Sequence, residues 1–157
     1  MLRNPRVYAD TSVFGGVFDD KFAEASRAFF ELVRRGRMQL VISAVVEEEI
    51  AVAPPQVQAL FDEMLALADV VPITEEARTL REAYLNAGIV NERSSTDALH
   101  VAQATVEGCT LIVSWNFRHI VPFQRIPMYN AINVLRGFGH LAIHSPSEVL
   151  IDEDEDV

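Results

Sequence analysis

The sequence predicts an α/β fold of three layers, a mostly parallel sheet of about five strands between two layers of helices. Three observations carry this expectation. Short apolar runs alternate along the whole chain with helix-period patterns, the arrangement that yields parallel strands covered on both faces. Proline and glycine (Pro54-Pro55, Pro72, Gly88, Gly108 and Pro127) fall between the periodic segments rather than inside them. With 157 residues, half of them apolar, the chain suits one domain with a sizeable core.

Taken in order, the strand candidates are 6–9, 38–42, 69–73, 110–114 and, with a weaker pattern, 140–143. Helical patterns occupy 20–35, 43–53, 56–68, 74–87, 94–107 and 129–136. In the first of them Phe22, Ala25, Phe29, Leu32 and Val33 share one stripe. The domain is expected over 1–150, followed by an acidic, unstructured tail at 151–157.

Composition narrows the class of protein. Arg3, Pro5, Arg6 and Asp10 interrupt the N-terminus before an apolar leader can build, and the run Leu40 to Val46 is far too short to cross a bilayer. Cys109 is the single cysteine, so neither an internal disulfide nor a cysteine zinc cluster can form. A soluble protein of a reducing cytoplasm, without a membrane partner, is the expectation. The net charge of −10 argues against a nucleic-acid ligand at first sight, but the run Asp152 to Asp156 holds five of the acids, leaving 18 acids against 13 bases, or −5, in the body.

Three acids stand out. In "RVYADTSVFGG", Asp10 arrives where the first strand ends, and ligands of such sheets gather outside the carboxyl ends of the strands. An ordinary helix-capping aspartate explains it equally well in isolation. In "VISAVVEEEIAVA", Val45, Val46, Ile50 and Ala53 form the buried stripe of a helix; Glu49 lies on that stripe while Glu47 and Glu48 lean to solvent. A carboxylate there is costly unless it is paired or binds a cation. In "SSTDALHVAQATVEG", Ser94 and Asp97 make a capping pattern, yet the helix behind is apolar nearly all round, so its N-terminus opens onto an interior cleft. Three carboxylates at one strand-end cleft repel one another unless a cation offsets them. Oxygen donors alone suit Mg²⁺ or Mn²⁺, and the chemistry such a site serves is phosphodiester hydrolysis.

The segments "VYADTSVFGG", "VISAVVEEEI", "STDALHVAQA" and "LIVSWNFRHI" resemble, in order and spacing, the PIN-domain nucleases, and the chain is similar to the VapC-type toxins among them. "YNAINVLRGFG" and "SPSEVL" resemble the C-terminal part of one bacterial subgroup. The resemblance implies a Mg²⁺- or Mn²⁺-dependent endoribonuclease, the toxin of a toxin–antitoxin pair, with Asp10, Glu49 and Asp97 as catalytic, metal-binding acids. Where the family often has a fourth acid this chain has Asn116, which lends a carbonyl oxygen but no charge. The resemblance also implies an RNA substrate, an antitoxin protein laid over the cleft and a homodimer, for which Val57, Leu60, Phe61, Met64 and Leu65 could serve as interface or equally as core.

Thr11 and Ser12 are candidates to orient Asp10 or touch a phosphate, and Arg93 and Arg118 to meet one. His100 is expected to pack on its helix rather than act as a base, because no second histidine stands at metal-ligand spacing from it. Other chemistries lack their residues. A haloacid-dehalogenase phosphatase needs a second aspartate where Ser12 stands, and there is no Walker A loop, paired-glycine dinucleotide fingerprint or H-E-x-x-H. The alternatives kept are a PIN-fold binding module without activity, favoured by Asn116 and the net acidity, and a structure-specific DNA nuclease.

Overall fold

The computed structural model describes residues 4–155, with side chains through Leu150. The expected tail at 151–157 therefore lies outside the described side chains. Five strands, β1 (Arg6–Ala9), β2 (Gln39–Ser43), β3 (Asp69–Val71), β4 (Leu111–Val113) and β5 (Ala142–His144), form one sheet in the order β3-β2-β1-β4-β5. Every pairing is parallel. Val7 is in register with Leu40 and Leu111, and Tyr8 with Val41 and Ile112, so the three central strands are apolar on both faces and buried.

Eight helices cover the sheet: α1 (Thr11–Gly16), α2 (Ala23–Arg34), α3 (Ala44–Ile50), α4 (Pro55–Leu65), α5 (Glu75–Asn86), α6 (Ser95–Val106), α7 (Arg125–Leu135) and α8 (Pro146–Glu155). The connections β1 to β2 and β2 to β3 step one way across the sheet; the return to β4 steps the other way. With right-handed crossovers this reversal puts α1 to α4 on one face and α5 to α7 on the other, which makes the three layers. On the first face Phe14 of α1 packs against Phe30 of α2 and Phe61 of α4, with ring centroids 4.9 and 5.6 Å apart. Beyond β5 the chain returns to the first face, where α8 packs on α2.

The expected elements differ from the observed ones where proline and glycine were decisive. The pattern at 129–136 starts earlier, at Arg125, because Pro127 sits in the first turn of α7, where its missing N–H costs nothing. The short α1 carries two glycines and too few residues for a period, and α8 begins directly at Pro146. Val57, Leu60, Phe61 and Met64, weighed above as interface or core, are buried in the chain's own core.

Two buried asparagines of α7 fix the far side of the sheet. Asn130 exchanges two hydrogen bonds with the backbone of Leu141, 2.8 and 2.9 Å, just before β5, while Asn133 accepts from the Tyr84 hydroxyl. At the other end of the sheet, Gly16 lies against the Trp115 indole, whose Nε1 donates to Ser26 Oγ at 2.8 Å.

A Cβ on Gly16 would sit 2.5 Å from Ser26 Oγ and 2.8 Å from Trp115 Nε1, whereas one on Gly15 would meet nothing within 4 Å. Gly16→Ala is therefore expected to cost about 1–3 kcal/mol through overpacking. Gly15→Ala should gain about 0.5–1 kcal/mol from better helix propensity. Urea unfolding followed by the fluorescence of Trp115, the sole tryptophan, measures both; equal effects would show that Gly16 is not a packing constraint.

Candidate active site

β1 and β4 are neighbours whose connections leave in opposite directions, so a crevice opens between their carboxyl ends. Asp10 occupies it. Its backbone is extended (φ −80°, ψ 175°), its N–H donates to the carbonyl of Val113 at 3.2 Å, and it caps α1. Oδ1 accepts from the Ser12 N–H at 3.1 Å and the Ser12 hydroxyl at 2.5 Å; Oδ2 accepts from the Ser114 hydroxyl at 2.6 Å. The side chain is buried, with all three donors neutral. Burial pushes the Asp10 carboxyl above the usual carboxylate range, opposed by the charge of His100 and the hydroxyls of Ser114 and Ser12, and reinforced by the charge of Glu49.

Glu49 approaches from α3. Glu47 and Glu48 are exposed as the stripe requires, while Glu49 is half-buried. Its Oε1 accepts from the Thr11 hydroxyl at 3.0 Å and pairs with His100 Nε2 at 2.6 Å. Burial works against the Glu49 charge, but the hydrogen bond and charge of His100, with Thr11, outweigh it and hold this carboxyl below its ordinary value.

Behind Glu49 runs a buried polar chain. His100 Nδ1 lies 2.7 Å from the Tyr8 hydroxyl, and that hydroxyl lies 2.7 Å from Ser43 Oγ, which accepts from the Val45 N–H at the start of α3. An ionised Glu49 has no proton to give, so Nε2 donates to it. Nδ1 and the Tyr8 hydroxyl share the next bond, its direction set by the protonation of the ring, and Tyr8 and Ser43 share the one after it. Burial raises the Tyr8 hydroxyl well above its ordinary pKa, so it stays a donor. His100 thus does more than pack on its helix. Its environment required this: α6 is buried nearly all round, and a polar ring there must find partners.

Asp97 stands in the first turn of α6, half-buried, one turn before His100. Ser94 makes no side-chain capping bond, so the S-x-x-D pattern does not act as a cap. Among the described residues no group of three or more His, Cys, Asp or Glu side chains comes close enough to hold a metal ion. The structure thus ties Asp10, Glu49 and His100 into one corner without closing Asp10, Glu49 and Asp97 into a cage. The donors still fit a hard cation in kind: carboxylate oxygens, one of them buried, hydrogen-bonded only by neutral groups and repelled by the charge of a second acid.

The remaining candidates divide. Asn116 Oδ1 accepts from the N–H groups of Arg118 and His119 at 3.1 and 3.0 Å, so it shapes the turn after β4. Thr11 and Ser12 commit their hydroxyls to the two acids. Arg118 and Arg93 are exposed. Ser114, Tyr8 and Ser43 were not singled out from the sequence; small or aromatic polar groups at strand ends carry no spacing signal.

Residues 7–120 match the family described as PIN domain. The chain belongs to that family. Solved structures with the same fold include VapBC2 from Rickettsia felis bound to a DNA fragment from its promoter, 16% identical, TM-score 0.59, covering 89% of this chain and 98% of that one. FitAcB from Neisseria gonorrhoeae is 13% identical, TM-score 0.57, covering 89% and 97%. FitAB bound to an IR36 DNA fragment is 14% identical, TM-score 0.57, covering 89% and 94%. No curated protein matches in sequence. At these identities the likeness shows the PIN fold, in line with the order of the four motifs.

Tyr8→Phe leaves a buried ring nitrogen and a buried serine without their shared partner, and is expected to cost about 1–3 kcal/mol. The exposed Glu48→Gln should stay within about 0.5 kcal/mol of wild type. Urea unfolding of the two variants tests the polar chain; a neutral Tyr8→Phe would show that it contributes no stability.

Proposed function

We propose that this chain is a divalent-metal-dependent endoribonuclease and the toxin of a toxin–antitoxin pair. One observation carries the metal-site reading: a buried aspartate at the sheet's switch point, satisfied only by neutral donors and facing a second acid. Asp10, Glu49 and Asp97 would hold Mg²⁺ or Mn²⁺ as the catalytic acids; Asn116, where the family often has a fourth acid, would add its carbonyl oxygen only by giving up the Arg118 and His119 N–H groups. The bound ion supplies Lewis acidity toward water and the phosphodiester. Ser12 and Ser114 keep both Asp10 oxygens oriented, and Thr11 and His100 fix the rotamer of Glu49. The exposed guanidinium groups of Arg93 and Arg118 are suited to the phosphate backbone, with Thr11 and Ser12 lining the same approach. The nuclease unit would span 1–150, and the acidic residues of the expected tail at 151–157 begin within α8, which runs to Glu155.

The fold shared with VapBC2 and FitAB supports the toxin reading, and with it an antitoxin partner; a homodimer and a cytoplasmic location belong to the same proposal and rest on the sequence resemblance alone. No described helix is long and apolar enough to cross a membrane. A PIN-fold binding module is the second reading, favoured by Asn116 and by the acids not closing into a cage.

Cleavage of a mixed RNA pool in Mn²⁺ separates the two. Wild type and Glu48→Gln should cut, while Asp10→Asn and Glu49→Gln should lose at least about 100-fold, and excess chelator should abolish cutting. Asn caps a helix as well as Asp does. With the charge removed from a buried site, Asp10→Asn should be no less stable than wild type in metal-free buffer. The sign follows from the raised Asp10 pKa: ionisation costs the folded state free energy, so this contribution to stability is lost as pH rises and is recovered when the charge is deleted. A wild type that never cuts, or an Asp10→Asn protein that keeps pace with it, would overturn the nuclease reading.

A further inference from the structure

Directly beyond Ser114 the chain builds a ladder of rings. Trp115 is fixed at three points: its N–H donates to Ser12 Oγ at 2.9 Å, its indole N–H to Ser26, and its ring stacks on Phe22 with centroids 4.3 Å apart at 24°. The Asn116 turn then presents Phe117, whose centroid lies 6.0 Å from Trp115 and 6.4 Å from Phe22 while 55% of the residue is exposed. Other large apolar side chains are more exposed, Phe123 at 86% among them; what sets Phe117 apart is that two further rings buttress it. Arg118 follows, exposed and with no side-chain partner among the described residues. Segment 114–118 thus runs from the anchor of the candidate catalytic aspartate, through a rigid aromatic support, to an exposed ring and an exposed cation.

We infer that Phe117 is a stacking platform for one unpaired nucleobase beside the candidate site, with Arg118 on the adjoining phosphate. This inference rests on the RNA reading above and specifies it. A base within a duplex keeps both faces covered by its neighbours, whereas an unpaired base offers a face to an aromatic side chain. The chain's charge of −10 weakens long-range attraction to phosphate, so a contact that does not depend on charge has more of the binding to carry. Behind Phe117 the Trp115 ring is held by its indole hydrogen bond to Ser26 and by stacking on Phe22, so the support is rigid before a base arrives.

The test measures fluorescence anisotropy of a short, unstructured, labelled oligoribonucleotide and of an abasic oligomer of equal length, in Ca²⁺ buffer, with the oligomer's intactness checked on a gel. Wild type should prefer the base-bearing strand about 5- to 150-fold. Phe117→Ala and Phe117→Leu should abolish that preference without changing abasic binding, and Phe117→Tyr should keep it. Arg118→Gln should weaken both strands alike and lower the salt slope by roughly 0.7. Equal thermal midpoints check that the variants fold. Preference retained in Phe117→Leu would point to apolar contact rather than stacking and overturn the proposal, as would an unchanged Phe117→Ala or a wild type indifferent to bases. A wild type that shows the preference yet never cuts in Mn²⁺ would sink the nuclease reading alone. One that cuts while Phe117→Ala keeps the preference would sink the platform alone.

Discussion

The Asp10 carboxylate is the joint on which the functional end of this molecule depends. It accepts from Ser12 on one side and Ser114 on the other, so one side chain links the end of β1, the start of α1 and the exit of β4. Ser12 completes the joint: while donating to Asp10 it accepts from the N–H of Trp115. A buried carboxylate is held in place because each oxygen has a donor, and it stays electrostatically unfavourable because none of those donors is charged. These properties let the same residue be rigid and cation-seeking.

A second polar line supports the other acid from underneath. Tyr8 is an inward residue of the central strand, and through it His100 and then Glu49 are referred to the sheet rather than to a surface loop. Precision of this kind comes from placing a site on strands and buried helices, where packing leaves each side chain few rotamers. Thr11 then ties Glu49 back to α1, so the two acids are positioned independently but not separately.

Much of the fold was legible because parallel strands buried on both faces read as apolar runs: "VYA", "LVI" and "LIV" each mark a strand at the centre of the sheet. The outer strands and α1 were less so, since three residues or a Gly-Gly pair hold too little periodicity. In the site, Asp10 and Glu49 showed themselves by sitting where a charge is expensive. His100 carried the same signal, a polar group on a helix with no exposed face, but a lone histidine suggests packing when judged by ligand spacing. Ser114 had no signal, because its partner lies 104 residues away in the sequence. For Asn116 the missing charge could be read directly, whereas the two N–H groups it accepts from depend on the turn after β4.

That separation of 104 residues also governs when the site comes into being. β1 pairs with β4, so the central strand has an open edge until nearly three-quarters of the chain has been made. A nascent polypeptide that has passed Asp97 already holds every candidate acid, but Asp10 still lacks the hydroxyl of Ser114 and the wall formed by β4. Contacts this distant raise the contact order of the fold and slow its formation relative to local helices. The corner therefore requires the β1–β4 pairing, and closing it carries the loop-closure entropy of the long segment between those strands.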